Sequence, residues 1–260
     1  MSYYLKNGYV ADDRTNESVA RTLEFALSDY CIAQMAKALG KTTDYEDLMR
    51  RAKNYRYLYN PKTKLFQARN ADGSWAGEHS GFTEGANWTY QFCVMQDVQG
   101  LIDLMGGNES FAAALDNVFD NGHYRHDNEP CHHYVYLYNY CGRFDKAQER
   151  IPEILDTHYR NGADGLSGND DCGQMSAWYL FSSLGFYPVT PASGEYALGI
   201  PRFPSVRVEL PHGKVLTVRA EELKEHRHLP VILFNGKKLD APFIAIRDLM
   251  KGGVLEFKAE

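Results

Sequence analysis

Long apolar runs are missing from this chain. No stretch approaches the roughly eighteen consecutive apolar residues of a membrane-spanning helix. The opening Met1-Ser2-Tyr3-Tyr4-Leu5-Lys6-Asn7-Gly8 has neither the basic nor the apolar region of a signal peptide, so the sequence as it stands predicts a soluble chain. Positive charge is also in short supply. Lys and Arg number 28 against 34 Asp and Glu, a net charge of −6, which is the opposite of the basic footprint of a nucleic-acid binder. The five cysteines, at 31, 93, 131, 141 and 172, are odd in number and irregular in spacing. They read as small buried hydrophobes rather than as a disulfide framework or a zinc site.

Aromatic residues are plentiful instead. They make up 13% of the chain, with 18 Tyr but only 3 Trp, a load that suits either a carbohydrate cleft or many helix-packing contacts. With 260 residues, 44% hydrophobic and 24% charged, the chain is ordinary for one large globular domain or two small ones.

The apolar period is helical through the first two thirds. Val19, Leu23, Ala26, Leu27, Tyr30 and Ala33 predict a helix from Glu17 to Gly40 with Asn16 as its cap. Thr43 and Glu46 have capping-box spacing for a second helix. After a loop over 60–80, Trp88, Phe92, Met95, Val98 and Leu101 predict a third, entered through Phe82–Trp88 and stopped by Gly106-Gly107. Asn108 caps a fourth, Pro130 opens a fifth through Tyr138, and a sixth from Phe144 to about Tyr159 is expected to kink or split at Pro152. A seventh starts at Asn169-Asp170 and ends at Gly185. Beyond residue 200 the period falls to two, in Val206–Leu210, Val215–Val218 and Val254–Phe257, and Val231–Phe234 before Asn235-Gly236 reads as a hairpin. The expected fold class is mainly α with a C-terminal β part: a helical domain over 1–190 and a β-rich segment over 191–260.

Three loop-to-helix junctions carry carboxylates: Thr83-Glu84-Gly85, Asn128-Glu129-Pro130 and Gly168-Asn169-Asp170-Asp171. Each has a plain structural explanation, since acidic residues, Asn and Pro are all favoured in a first helical turn. Their recurrence at alternate junctions of an up-and-down helical array would also bring the carboxylates to one face. Such a cluster suits paired acid and base work or a hard cation. His132 and His133 read as core or polar-network histidines, and Trp88 and Trp178 fall on apolar helix faces.

The motifs are specific in combination. Glu84-Gly85 with Trp88, Asp97–Gly107, Asn128-Glu-Pro-Cys-His-His133, Tyr136–Tyr140, Gly168-Asn-Asp-Asp-Cys-Gly-Gln-Met-Ser-Ala-Trp178 and Gly185-Phe-Tyr-Pro188 resemble, in order, the C-terminal part of glycoside hydrolase family 92. The resemblance implies a calcium-dependent, inverting exo-α-mannosidase, of α-1,2 type, acting on the terminal mannose of glycans. It implies a partial (α/α)6-barrel-like helical domain followed by strands of a β-sandwich or sheet. Carried over, Glu84 is the general acid and Asp170 and Asp171 activate water. Asn128 and Glu129 belong to the motif associated with Ca²⁺, and Trp88, His126, Asn169 and Gln174 fall among substrate-binding positions. An inverting pair sits roughly 6.5–9.5 Å apart to admit a water, a gap that separate loops supply and adjacent residues cannot.

This chain departs from the family at Ala86, Thr89 and Gln96, where Asn, Gln and His are usual, and its segment between Phe119 and Tyr124 is short. About seven helices are expected, fewer than the family barrel holds, and the N-terminal β-sandwich is missing. The chain is therefore either a fragment of a longer enzyme or a truncated glycan-binding or structural remnant. Expected partners are a mannose-containing glycan and either that sandwich or a second copy of the chain, with no nucleic acid and no membrane. The resemblance suggests a periplasmic or extracellular setting.

Overall fold

A computed structural model describes residues 2–259, and the chain forms two compact units. One is Met1–Tyr124 with Thr190–Ser193; the other is Arg125–Val189 with Gly194–Glu260. The change from helix to strand falls inside the second unit. Among the described residues no helix is long and apolar enough to cross a membrane.

The first unit holds α1 (Ser2–Asn7), α2 (Ser18–Ala38), α3 (Thr42–Arg51), the small hairpin β1 (Tyr59–Asn60) and β2 (Leu65–Phe66), α4 (Asn87–Tyr90), α5 (Val98–Leu104) and α6 (Asn108–Asp120). Helices α2 and α3 pack through Ala33, Ala36 and Leu48, with Tyr45 and Met49 at the edge. Beside them Asp29 is buried, a costly place for a carboxylate unless it is paired. Its oxygens accept from Tyr4 Oη at 2.8 Å and from Arg51 Nη2 at 2.6 Å and Nε at 3.0 Å.

Three helix starts in this unit differ from expectation, and at α6 the cap position is Gly107 and not Asn108. The residue before α2 is Glu17, in left-handed conformation at φ 60°, not Asn16. Helix α3 follows Lys41 without a side-chain cap, so the Thr43–Glu46 spacing is not used. The expected third helix is broken: α4 covers four residues, a 3-10 turn spans Met95–Asp97, and α5 begins afresh at Val98. The physical reason is Asp97. Its side chain accepts Gly100 N–H at 3.2 Å and Tyr55 Oη at 2.8 Å, which caps a new helix where the apolar period alone would run on.

The second unit holds α7 (Phe144–His158) and α8 (Gln174–Leu184), strands β3 (Phe186–Tyr187), β4 (Glu195–Leu198), β5 (Ser205–Glu209), β6 (Val215–Arg219), β7 (Val231–Phe234), β8 (Lys237–Lys238) and β9 (Phe243–Ala245), helix α9 (Ile246–Leu249), and β10 (Gly253–Lys258). The expected fifth helix is instead two 3-10 segments, Glu129–Cys131 and Tyr134–Cys141. Tyr134 to Asn139 are all buried, so this segment has no solvent face to give an amphipathic α period, and its aromatic and β-branched residues are modest helix formers. Helix α7 runs through Pro152 unbroken, held on its buried side by Ile151, Ile154 and Leu155. Five strands order as β5-β6-β10-β7-β8, with β10 parallel to β6 and antiparallel to β7, and β3-β4-β9 form a second sheet. The hairpin expected at Asn235-Gly236 is β7–β8, while β3, β4 and β9 are strands the alternation missed.

The cysteines are unpaired with one another. Cys93, Cys131 and Cys141 are buried as expected, Cys31 is half-buried, and Cys172 is exposed, contrary to expectation.

Candidate active site

In the first unit, the segment carrying Glu84 is fastened to the start of α2. Gly81 carbonyl accepts the N–H groups of Val19 (2.9 Å) and Ala20 (3.1 Å), two donors that a helix N-terminus leaves unsatisfied. Gly81 has φ +86°, and a Cβ there would lie 2.6 Å from Ser18 Oγ, so both conformation and space call for glycine. Thr83 Oγ1 donates to Glu17 Oε1 at 3.0 Å, and Tyr90 Oη donates to Thr83 carbonyl at 2.8 Å. Between these braces Glu84 is exposed, with a left-handed φ of 52°. Uncommon backbone of this kind persists only where its surroundings hold it, and it gathers at functional sites. Glu84 precedes α4 by a bend instead of opening a helix, which corrects its expected place in a first turn. Thr89 supports the bend, its Oγ1 accepting Ala86 N–H at 3.3 Å. Trp88 is half-buried and stacks on His123, ring centroids 4.6 Å apart at 3°.

In the second unit, two of the predicted junctions lie side by side. A Cβ on Gly168 would come within 2.3 Å of Asp127 carbonyl O, so the backbone before Asn169 rests directly on the backbone before Asn128. Asn128 is extended (φ −149°, ψ 147°), and its Oδ1 accepts Glu129 N–H at 3.0 Å ahead of Pro130. The preceding Asp127 is paired with Arg125 at 2.7 Å, and that guanidinium holds its carboxyl below the usual range. Across the close contact, Asn169, Asp170 and Asp171 are all exposed. The two carboxylates differ in what they do. Asp170 Oδ1 accepts Ser176 N–H at 2.9 Å, capping the first turn of α8 from outside the helix. Asp171 makes no side-chain hydrogen bond or ion pair among the described residues. It begins a run of three left-handed residues, Asp171 (φ 42°), Cys172 (58°) and Gly173 (91°), so α8 starts at Gln174, four residues later than predicted.

A buried polar network lies under this pair of loops. His126 Nε2 is 2.7 Å from Tyr159 Oη, and Tyr159 Oη donates its only proton to Met175 carbonyl at 3.0 Å. His126 Nε2 must therefore be the protonated nitrogen. His132 Nε2 donates to His126 carbonyl at 3.0 Å, leaving its Nδ1 to accept from Gln174 Nε2 at 3.4 Å, and Trp178 Nε1 donates to His132 carbonyl at 2.8 Å. Gln174 also donates to Tyr187 Oη at 3.0 Å; burial pushes that phenol up to about 12. His126 is 1% exposed and His132 2%, so both are interior histidines that support the loops from below. Of the predicted substrate-binding residues, Asn169 faces solvent, Trp88 and Gln174 are half-buried, and the His126 ring is turned to protein. Tyr159 was not foreseen, since nothing in its spacing sets it apart from the other tyrosines, and Tyr187 stood in the Gly185-Phe-Tyr-Pro188 motif without a role.

Burial drives the His126 pKa down to about 2, with charges on His132 and His158 adding to the effect, and burial also lowers His132 and His158. A histidine kept neutral in the fold favours the native state fully above its unfolded pKa of about 6.5, and that contribution is lost as pH falls below it. Unfolding free energy from denaturant titration should therefore drop from pH 7 to pH 5, its slope approaching about 1.4 kcal/mol per pH unit for His126 alone. A flat profile across that window would contradict the buried neutral assignment.

Hard cations take oxygen ligands, about six to eight for Ca²⁺. Asn128 and Glu129 offer that donor type from adjacent positions. Among the described residues no group of three or more His, Cys, Asp or Glu side chains gathers as a metal site, so these two side chains do not by themselves complete such a shell.

Comparison with known proteins bears on this arrangement. The inverting GH92 mannosidase of Bacteroides thetaiotaomicron superposes with a TM-score of 0.92 at 35% identity over 99% of this chain and 39% of that one. A family GH92 α-mannosidase of the same organism gives 0.90 at 41% identity over 96% and 35%. Its complex with mannoimidazole gives 0.89 at 39% identity over 97% of this chain and 37% of that one. A secreted glycosidase of Arthroderma benhamiae, itself uncharacterized, is 28% identical over 95% of this chain and 36% of its own length. The chain thus spans well under half the length of these relatives. The pattern of the glycosyl hydrolase family 92 catalytic domain matches residues 1–260, and the chain belongs to that family.

Proposed function

We propose that this chain carries catalytic residues of an inverting, calcium-dependent exo-α-mannosidase, acting on terminal α-1,2-linked mannose of glycans. The observation that supports it most is the family match across residues 1–260, taken with a full set of exposed or half-exposed acid groups at Glu84, Glu129, Asp170 and Asp171. The helical stretch is read as part of the family's (α/α)6 toroid. Glu84 protonates the departing glycosidic oxygen. With one Asp170 oxygen committed to Ser176 N–H, the water-activating base is Asp171, and Asp170 holds the turn that presents it. Asn169 offers a neutral amide to a sugar hydroxyl, Trp88 an aromatic face, and Gln174 and His126 set the loop that carries Asn169. Asn128 and Glu129 are the residues that would hold calcium, which when bound would orient sugar hydroxyls.

Mannose release from α-1,2-mannobiose tests the reading directly. The expected result is hydrolysis that a chelator abolishes and added Ca²⁺ restores, with α-1,3- and α-1,6-mannobiose cleaved more slowly. Equal rates with and without chelator would remove the calcium assignment. No release from any mannobiose, with mannose binding retained, would support the reading as a glycan-binding remnant instead.

A further inference from the structure

Two cavities of about 650 and 660 Å³ lie along α7 in the second unit and share Leu155 and Arg202. Each is of the size that small-molecule sites have, about 300–1,000 Å³. Together they make a trough. At one end are Phe203, Glu149 and His228; at the other are Tyr159, Asn161 and Tyr179. Arg202 stands between them, its Nη1 2.8 Å from Asp156 Oδ1.

The chemistry of this lining is selective. The Arg202–Asp156 pair is 34% and 64% exposed, so it offers a fixed donor and acceptor side by side to a ligand with neighbouring hydroxyls. Phe203 is 46% exposed, a large ring left to water unless something apolar lies on it. His228 Nε2 is itself a buried atom, 3.3 Å from Glu149 Oε1 but not aligned to hydrogen-bond with it. At the far end Tyr159 and Tyr179 present two rings 5.1 Å apart and tilted by 50°. A lipid would strand the charged pair, and an inorganic anion would leave the rings uncovered. A pyranose chain uses both, since its rings have apolar C–H faces and hydroxyl edges.

We propose that the trough is an auxiliary carbohydrate site, holding an oligosaccharide segment other than the terminal sugar that is cleaved. The choice of a mannose-containing chain rests on the proposed function; the site itself does not. Ser176 lines the far end, and its N–H is the one capped by Asp170, so a glycan seated there lies against the first turn of α8.

The test is calorimetric titration of the whole chain, as its Glu84→Gln variant and in chelator, with mannose and with a linear mannotetraose. Saturable tetraose binding at least about tenfold tighter than mannose is expected. Phe203→Ala and Arg202→Ala should each weaken it about tenfold, and Phe203→Tyr should restore it. Equal affinity for mannose and tetraose, or tetraose binding unchanged in the Phe203→Ala, Arg202→Ala double variant, would overturn the proposal. Hydrolysis plays no part in this readout. Loss of the mannosidase reading with tetraose binding intact would leave the trough standing.

Discussion

Glu84→Gln should lower mannose release from α-1,2-mannobiose by about 10²–10⁴-fold, the range expected when a general acid is removed. The substitution keeps the shape of the side chain and its backbone. Glu84 is exposed, and the braces around it run through Gly81, Thr83 and Tyr90. The loss should therefore appear in kcat with KM little changed, and thermal stability should stay within about 0.5 kcal/mol, as for a surface change. An aryl mannoside, whose departing group needs little protonation, should lose much less. A variant that cleaves mannobiose at the wild-type rate would remove Glu84 from the reaction.

Asp171→Asn should have an effect of similar size, about 10²–10⁴-fold in kcat, with no dependence on the leaving group. A base that activates water acts on every substrate, so the aryl mannoside should be hit as hard as the disaccharide. Its neighbour provides the contrast. Asp170→Asn keeps an oxygen that can accept Ser176 N–H, so it should preserve the turn and retain far more activity than Asp171→Asn. Asp170→Ala removes the cap and should cost about 1 kcal/mol of stability as well. If Asp170→Asn and Asp171→Asn exchanged these profiles, the division of labour between the carboxylates would be reversed.

The candidate site was partly legible in the chain because its residue types are restrictive. The glycine at 168, adjacent carboxylates at 170 and 171, and Asn-Glu-Pro at 128–130 can be read one by one. Their local backbone was not. Asp171, Cys172 and Gly173 all take left-handed conformations, a state routine for glycine, occasional for aspartate and uncommon for cysteine, so the run of three is not signalled by the sequence. Cys172, expected inside from the irregular spacing of the cysteines, is exposed in this run, and the helix begins two residues later.

What the sequence by itself determined was the kind of structure and the family: helical period to about residue 185, alternation beyond 200, and motifs in the order of glycosyl hydrolase family 92. Periodicity records which residues are buried, and burial patterns survive whatever the backbone does between them. Tertiary structure alone decided where that backbone breaks and which polar groups meet. Asp97 ends one turn and caps the next because Tyr55, distant in sequence, binds its carboxylate. Gly168 brings the Asn169–Asp171 junction against the Asn128–Glu129 junction because its missing Cβ leaves room for Asp127. Asp170 is a cap and Asp171 an open carboxylate because one of two identical side chains faces Ser176 N–H, a distinction no one-dimensional pattern contains.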